Sequence, residues 1–249
     1  NATFTWSKNE NRILSLAEDV AEIMKKYRFG IAEFCMADVI DGMPIDDDVN
    51  YTVLAQRIVD RHGRDFTSYD VSRDWMTLIG RYSCCTAERV AYRNFVNGYE
   101  PPESAVYKNP YREWIGAQIR GDYFGYINPG NPELAAEMAH RDACISHVKN
   151  GIYGEMFVAA MLAAAACTDD FEAVVSCGLA QIPCTSRLHE AVTDVLNGYR
   201  NGVPAAQCFA DIHRRYDEHT EYGWCHTVPN AMIVAAAILY GGGDFSKSV

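Results

Sequence analysis

The fold class is indicated by GEMFVAAMLAAAAC, residues 154–167, where small apolar side chains fill several turns of a predicted helix. Alanines such as those at 163–166 allow the backbones of neighbouring helices to approach closely. Apolar residues recur at three- and four-residue steps along most of the chain, whereas the alternation typical of strands is scarce. We therefore expect an all-α protein, built as an irregular or orthogonal bundle of helices.

Helical periodicity also predicts where the other helices lie. The predicted helices cover residues 11–27, 49–63, 71–79, 132–147, 154–167, 170–181, 186–199, 204–218 and 229–239. Asp70 is predicted to cap the helix over 71–79, and the glycines at 241–243 are predicted to end the last helix. Between about 81 and 132, Pro, Gly and Asn break the pattern, which predicts a long, ordered loop region. Because no domain boundary is visible, residues 1–249 are predicted to form a single domain.

Composition limits the classes of partner. The chain of 249 residues has a net charge of −11, which repels nucleic-acid backbones and anionic lipids, so we expect no nucleic acid and no membrane. The longest apolar stretches, 156–167 and 231–240, are about half of the roughly 20 residues that span a bilayer.

The nine cysteines form no CxxC pair, which fits reduced thiols in the cytoplasm. The chain begins with Asn1 rather than Met, so we expect a processed product or one that lacks parts at its ends.

Three consecutive aspartates, Asp46, Asp47 and Asp48, precede the helix predicted over 49–63. Adjacent like charges repel one another, so a helix N-terminus or a bound cation must offset them. One aspartate is enough to cap a helix, whereas three present several carboxylate oxygens that suit Mg²⁺, Mn²⁺ or Ca²⁺. The aspartates alone leave capping and metal binding both open.

Two further segments contain residue types suited to binding. In the segment 109–132, Arg112 and Arg120 could pair with phosphate and the aromatic side chains could stack on a nucleobase. The alternative is packing on the bundle, with Arg120 paired to Asp122. In the segment 146–162, His147 at a predicted helix end is either a structural cap or a catalyst, and Asn150-Gly151 predicts a tight turn.

The order of these pieces resembles the ADP-ribosylglycohydrolase family, specifically a large bacterial branch related to the dinitrogenase reductase-activating glycohydrolase. The resemblance is carried by the aspartate run, by TAERVAYRNFVNG at 86–98, by WIGAQIRGDYFGYINPG at 114–130 and by SHVKNGIYGEMFVAAM at 146–161. It implies an all-α, metal-dependent hydrolase that cleaves an N- or O-glycosidic bond of ADP-ribose, in a modified protein or a small ribosyl substrate. Two Mg²⁺ or Mn²⁺ ions are expected. The alternative is a non-catalytic member that binds ADP-ribose or a nucleotide, or serves as a scaffold.

The same resemblance implies roles for individual residues. The family's Thr-Asp-Asp-Thr motif falls on Ile45 to Asp48, so Asp46 and Asp47 are predicted as catalytic residues and metal ligands, and Asp48 as a further ligand. Substrate binding is predicted for Gly116, Ala117, Gln118, Arg120, His147, Asn150 and Gly151. The family's second acidic motif, Asp-x-Asp-Thr, is not among these residues, and a site with half its carboxylates would bind metal weakly.

Overall fold

The computed structural model describes residues 6–7, 12–13, 41–42, 47–80, 83–217 and 219–249. The chain divides into two compact units, Asn1–Tyr51 and Thr52–Val249. In the first unit, the two-residue strands β1 (Trp6–Ser7) and β2 (Arg12–Ile13) pair antiparallel. All other regular elements of the described residues are helical, which confirms the all-α class. The single domain over 1–249 stays a prediction.

The helices are named in chain order. They are α1 (Asp47–His62), α2 (Ser68–Leu78), α3 (Thr86–Val96), α4 (Glu103–Val106), a 3₁₀ helix (Gln118–Arg120), α5 (Asp122–Tyr126), α6 (Pro132–Ala143), α7 (Asn150–Ala165), α8 (Phe171–Ala180), α9 (Arg187–Arg200), α10 (Ala205–Arg215), α11 (Glu221–Cys225), α12 (Thr227–Gly241) and α13 (Phe245–Ser248). Within the described ranges, no helix combines the length and the apolar character that a membrane crossing requires.

Helix α7 lies at the centre of the second unit. It packs against α5, α6, α8, α12 and the 3₁₀ helix. Apolar residues occur all around it, as expected for a helix that is covered on every side. Its larger side chains Phe157 and Met161 join a core shared with α8, α9, α10 and α12. The small-residue segment identified in the sequence is therefore the element on which the neighbouring helices pack.

Local capping signals set several helix starts. The side chains of Asn131, Asp170 and Ser186 accept backbone N–H groups at the starts of α6, α8 and α9, each at 3.1 Å. Pro132 occupies the first turn of α6, where its missing N–H costs nothing. At the end of α12, Gly242 adopts a left-handed φ of 59°, which confirms the predicted stop.

The predicted loop region over 81–132 is wrong in part. Residues 86–96 form the three-turn helix α3, and α4, the 3₁₀ helix and α5 follow within the same region. The buried face of α3 consists of Ala87, Glu88, Ala91, Asn94 and Phe95. These residues repeat with helical spacing, but two of the five are polar, so the pattern of apolar residues alone did not reveal the helix.

Two local predictions also need correction. Helix α2 is capped by Thr67 instead of Asp70, because Asp70 lies three residues into a capping box in which the two side chains bond each other's backbone N–H. The helix predicted over 11–27 is wrong at its start, since residues 12–13 form β2, and 14–27 lie outside the described residues. The tight turn predicted at Asn150 and Gly151 is confirmed, because the Gly151 N–H donates to the Val148 carbonyl oxygen at 3.0 Å, and the same two residues open α7.

Replacing Gly125 is expected to separate α5 from α7. A Cβ atom at this position would lie 2.5 Å from Leu162 Cβ and 2.9 Å from the Ala159 carbonyl oxygen. Because backbone cannot move aside cheaply, Gly125→Ala should lower the free energy of unfolding by about 1–3 kcal/mol. The control is Gly198→Ala in α9, where the nearest atom is 3.8 Å away and the change should be neutral or stabilising by up to about 1 kcal/mol. Urea unfolding measures both, and equal midpoints for the two variants would contradict the close packing of α5 on α7.

Candidate functional site

Arg120 occupies the centre of a buried polar cluster in the second unit. Only 2% of the residue is exposed. Its Nη1 donates to Glu88 Oε1 at 2.9 Å and to the Gly116 carbonyl oxygen at 3.4 Å. Its Nε donates to Asp142 Oδ2, and its Nη2 donates to the Asp142 carbonyl oxygen at 3.2 Å and to Ser146 Oγ at 3.0 Å. The guanidinium therefore joins α3, the start of the 3₁₀ helix, α6 and the α6–α7 connection.

Two more buried side chains surround the guanidinium. The centre of the Arg120 guanidinium lies 5.1 Å from the centre of the Trp75 ring, close enough for a cation–π interaction. On the α7 side, Glu155 Oε2 lies 3.7 Å from Arg120 Nε. Asp122 is not the partner of Arg120, because the carboxylates that accept from the guanidinium come from α3 and α6. Asp122 instead accepts a hydrogen bond from Tyr126.

Burial sets the charge states within this cluster. Burial and the nearby Asp142 carboxylate raise the pKa of Glu155 well above its ordinary value, which favours the protonated, neutral form of this side chain. Burial and the Arg120 cation lower the pKa of His147 well below its ordinary value. A hydrogen bond with the Trp114 backbone acts to raise this pKa but is outweighed. Burial also acts to lower the pKa of Arg120, but its acidic neighbours outweigh that effect and keep it charged. Arg120 is thus held as a cation, while burial favours the neutral forms of Glu155 and His147.

Ser146 and His147 are hydrogen-bonded to each other. Ser146 Oγ lies 2.8 Å from His147 Nδ1, and both residues are fully buried. His147 lies four residues beyond the end of α6, and its backbone N–H donates to the Ala143 carbonyl oxygen at 2.9 Å. Because Arg120 also occupies the Ser146 oxygen and no surface is exposed, the serine has the environment of a structural hydroxyl.

Glycines allow the predicted binding segments to come together. A Cβ atom at Gly116 would lie 1.9 Å from Glu88 Oε1, so only glycine lets this carboxylate approach the backbone. A Cβ atom at Gly151 would lie 2.7 Å from the Arg112 carbonyl oxygen and 2.9 Å from His147 Cδ2. The structure therefore brings Gly116, His147 and Gly151 into one packed region around the Arg120 cluster.

The remaining predicted binding residues are engaged within the protein. Gln118 Oε1 accepts a hydrogen bond from Thr227 at 2.7 Å, which ties the 3₁₀ helix to α12. Ala117, just before that helix, is fully buried. Asn150 donates to Glu113 at 2.7 Å and accepts from the Leu188 backbone N–H at the start of α9 at 3.0 Å. These side chains hold elements together, and their role in substrate binding stays a prediction.

The predicted metal ligands belong to the first compact unit. Asp47 and Asp48 form the first turn of α1 and are partly exposed, while Asp46 lies outside the described residues. Two successive carboxylates offer oxygen donors of the kind that Mg²⁺ and Mn²⁺ prefer. The portion of the chain that the structure describes contains no group of three His, Cys, Asp or Glu side chains arranged to hold a metal. Metal binding by Asp46, Asp47 and Asp48 stays a prediction.

Two surface cavities are formed by residues that were not predicted as site residues. One, of about 400 Å³, is lined by Tyr99, Pro102, Glu103, Val106 and Tyr107. The other, of about 480 Å³, is lined by Arg61, His62, Asp70, Arg73, Asp74, Met76 and Thr77. Neither lining includes a residue of the Arg120 cluster, whose members are buried.

Sequence reasoning missed three members of the cluster. Glu88 lies within TAERVAYRNFVNG, but no spacing distinguished it from a surface acid. Asp142 appeared to be an ordinary polar residue near the end of a helix. Glu155 did carry a usable signal, because it is the single charged residue in the apolar stretch 154–167. A lone acid in a fully buried helix needs a partner or a proton, and here Arg120 and protonation supply both.

The second unit is helical, and two of the segments predicted to bind substrate meet at the buried Arg120. The model of the ADP-ribosylglycohydrolase family matches residues 6–249, nearly the whole chain. The chain belongs to the ADP-ribosylglycohydrolase family. No match was found among curated proteins or among solved structures. The family is one of glycohydrolases, which act on glycosidic bonds.

Removing the Arg120 cation should be among the most damaging single changes. Arg120→Met would leave the Glu88 and Asp142 carboxylates buried without their cation, at a cost of about 3–5 kcal/mol in the free energy of unfolding. The matched control is Arg200→Met, which removes an ion pair to Glu172 in which both side chains are more than a third exposed, and should cost less than about 1 kcal/mol. Thermal and urea unfolding test this, and similar losses in the two variants would show that the cluster does not stabilise the fold.

Protonation of Glu155 predicts a specific dependence of stability on pH. The raised pKa means that the unfolded chain releases this proton above about pH 4.5, while the folded chain keeps it, so folding loses stability as pH rises. Glu155→Gln carries no such proton. The free energy of unfolding of the variant relative to the wild type should therefore increase from pH 4.5 to pH 8.

Urea unfolding at several pH values across that range provides the measurement. Glu137→Gln, at an exposed position on α6, makes the same chemical change at the surface and should stay within about 0.5 kcal/mol of the wild type throughout. A difference for Glu155→Gln that does not vary with pH would mean that Glu155 is ionised in the folded protein.

Proposed function

We propose that this protein is a metal-dependent hydrolase that cleaves an N- or O-glycosidic bond of ADP-ribose, in an ADP-ribosylated protein or a small ribosyl substrate. The observation that carries the proposal is the family match over residues 6–249. The clustering of Gly116, Arg120, His147 and Gly151 supports it, because these residues come from separate segments that carry the family resemblance.

Asp46, Asp47 and Asp48 are the proposed ligands for Mg²⁺ or Mn²⁺, with two ions expected in the complete site. The position of Asp47 and Asp48 in the first turn of α1 fits such a role, because hard carboxylate oxygens are the donors that these cations take. Bound metal would stabilise negative charge and lower the pKa of a coordinated water. The helix N-terminus lessens the repulsion between the adjacent carboxylates in the absence of metal.

The roles of this chain's own residues follow from that arrangement. We assign to Asp46 and Asp47 the acceptance of a proton from the water that attacks the anomeric carbon, since a positioned carboxylate can act as a general base. The segments around Gly116 and Gly151 are proposed to line the ribose and phosphates, where glycine permits close approach to the backbone. Arg120 is proposed to act by holding these segments together.

The proposed location is the cytoplasm. Each of the eight cysteines that the structure describes is a free thiol, and this supports a reducing compartment. Among them, burial together with Glu88 raises the pKa of Cys225 to about 11, so this thiol near the Arg120 cluster stays protonated and is a poor nucleophile.

A non-catalytic role is the second candidate, in which the protein binds ADP-ribose or a nucleotide, or serves as a scaffold. It is favoured by the internal hydrogen bonds of Arg120, Gln118 and Asn150. These bonds give the three side chains a structural role that requires no substrate. The two candidates differ in one measurable respect. A binder retains ADP-ribose without releasing it from a conjugate, whereas a hydrolase turns over.

Removing a proposed ligand should abolish metal-dependent turnover. ADP-ribose release from ADP-ribosylated arginine and serine peptides, followed by chromatography, should require Mg²⁺ or Mn²⁺ and stop on chelation. Asp46→Ala and Asp47→Ala should each lower the rate by about 10²-fold or more, because each removes a carboxylate that acts on the reacting water.

The control separates metal binding from helix capping. Asp170→Ala removes the aspartate that caps α8, so it should cost about 1 kcal/mol of stability and leave the metal dependence unchanged. Unchanged turnover in Asp46→Ala and Asp47→Ala would remove the aspartates from the mechanism. ADP-ribose binding without turnover under all metal conditions would favour the non-catalytic candidate.

A further inference from the structure

The side chain of Ser146 lies between a donor and a histidine ring. Arg120 Nη2 lies 3.0 Å from Ser146 Oγ, and a guanidinium can only donate hydrogen bonds. Ser146 Oγ therefore accepts one bond from Arg120. Its other neighbour is His147 Nδ1 at 2.8 Å, and these two are the hydrogen bonds that the Ser146 hydroxyl makes within the described part of the chain.

The position of one proton follows from this count. If His147 Nδ1 carried a hydrogen, Ser146 Oγ would accept from both neighbours and its own hydrogen would be buried without an acceptor. Leaving a buried donor unpaired costs about 1–3 kcal/mol. The favourable arrangement is the one in which Ser146 donates to His147 Nδ1. A neutral imidazole then carries its hydrogen on Nε2.

The other ring nitrogen faces a carboxylate. His147 Nε2 lies 3.9 Å from Glu88 Oε1, which is the same oxygen that accepts from Arg120 Nη1 at 2.9 Å. His147 Nε2 is buried and makes no hydrogen bond of ordinary geometry within the described residues, although the Trp114 backbone lies near enough to the ring to favour a ring N–H. A hydrogen on Nε2 would point towards negative charge, whereas a lone pair there would meet the carboxylate with electrostatic repulsion. Both sides of the ring thus favour the same tautomer.

We propose that Ser146 is a positioning residue that holds His147 as the neutral tautomer with its hydrogen on Nε2. Arg120 orients Ser146, Ser146 occupies the lone pair on Nδ1, and Glu88 faces the hydrogen on Nε2. Neither ring nitrogen is then left to accept a proton. One consequence rests on the proposed hydrolase function. In that reaction His147 would shape the site or donate a hydrogen bond, and a carboxylate would accept the proton.

Nitrogen NMR of the full chain tests the tautomer without any substrate. In a long-range proton–nitrogen correlation spectrum of protein labelled with ¹⁵N and ¹³C, the ring of His147 is assigned through bonds from its backbone. Nδ1 should show the shift of an unprotonated ring nitrogen and Nε2 that of a protonated one at neutral pH. A hydrogen on Nδ1, or a ring that carries both hydrogens, would overturn the proposal.

Variants at Ser146 then test the cause. In Ser146→Ala the nitrogen shifts should move towards an average of the two tautomers, and Ser146→Thr, which keeps the hydroxyl, should restore the wild-type pattern. The matched control is Ser104→Ala, which loses another buried hydroxyl, bonded to the Ile145 carbonyl oxygen at 2.8 Å, and should leave the His147 signals in place. A wild-type pattern in Ser146→Ala would overturn the role of the serine.

The test stays informative whatever the activity assays give. If Ser146→Ala does not fold, the wild-type spectrum and Ser146→Thr still decide the tautomer. If the spectra agree with the proposal but no ADP-ribose is released, the proposed function fails while the assignment of Ser146 stands. Metal-dependent turnover with a hydrogen on His147 Nδ1 would keep the function and overturn this inference.

Discussion

The ion pairs of one buried guanidinium hold the second compact unit together. Arg120 reaches Glu88 on α3, Asp142 on α6 and Ser146 in the connection to α7. Taking these charges out of water is costly, and the cost is offset because each polar edge of the guanidinium meets an acceptor. The segments predicted to bind substrate depend on this interaction for their relative positions. Loss of the cation would therefore disturb the candidate site and the fold together.

Much of the second unit could be predicted from the sequence because its signals are local. The helices that follow residue 132 show clear apolar periods, and residues such as Asp170 and Ser186 mark helix starts through bonds to backbone only three residues away. The family resemblance likewise rested on short motifs in a fixed order. It located the segments that carry Gly116 and His147, which the structure brings to the same cluster.

The partners within the cluster could not be predicted, because they are distant in sequence. Asp142 lies 22 positions from Arg120 and Glu88 lies 32, and no local pattern selects one acid among the many in the chain. The nearest acid, Asp122, was the natural expectation and was wrong. Helix α3 was missed for a related reason. Its buried face includes Glu88, so its pattern becomes regular only when the arginine that neutralises this acid is known.

Burial of Glu155 favours a native protein that holds one additional hydrogen ion. An unfolded chain at neutral pH carries this carboxyl group in its ionised form, so closing the core around a neutral Glu155 takes up a proton from water. Burial then removes that proton from contact with solvent. Its exchange for deuterium would have to wait until α7 separates from its neighbours, and the exchange rate would report how often the centre of the protein opens.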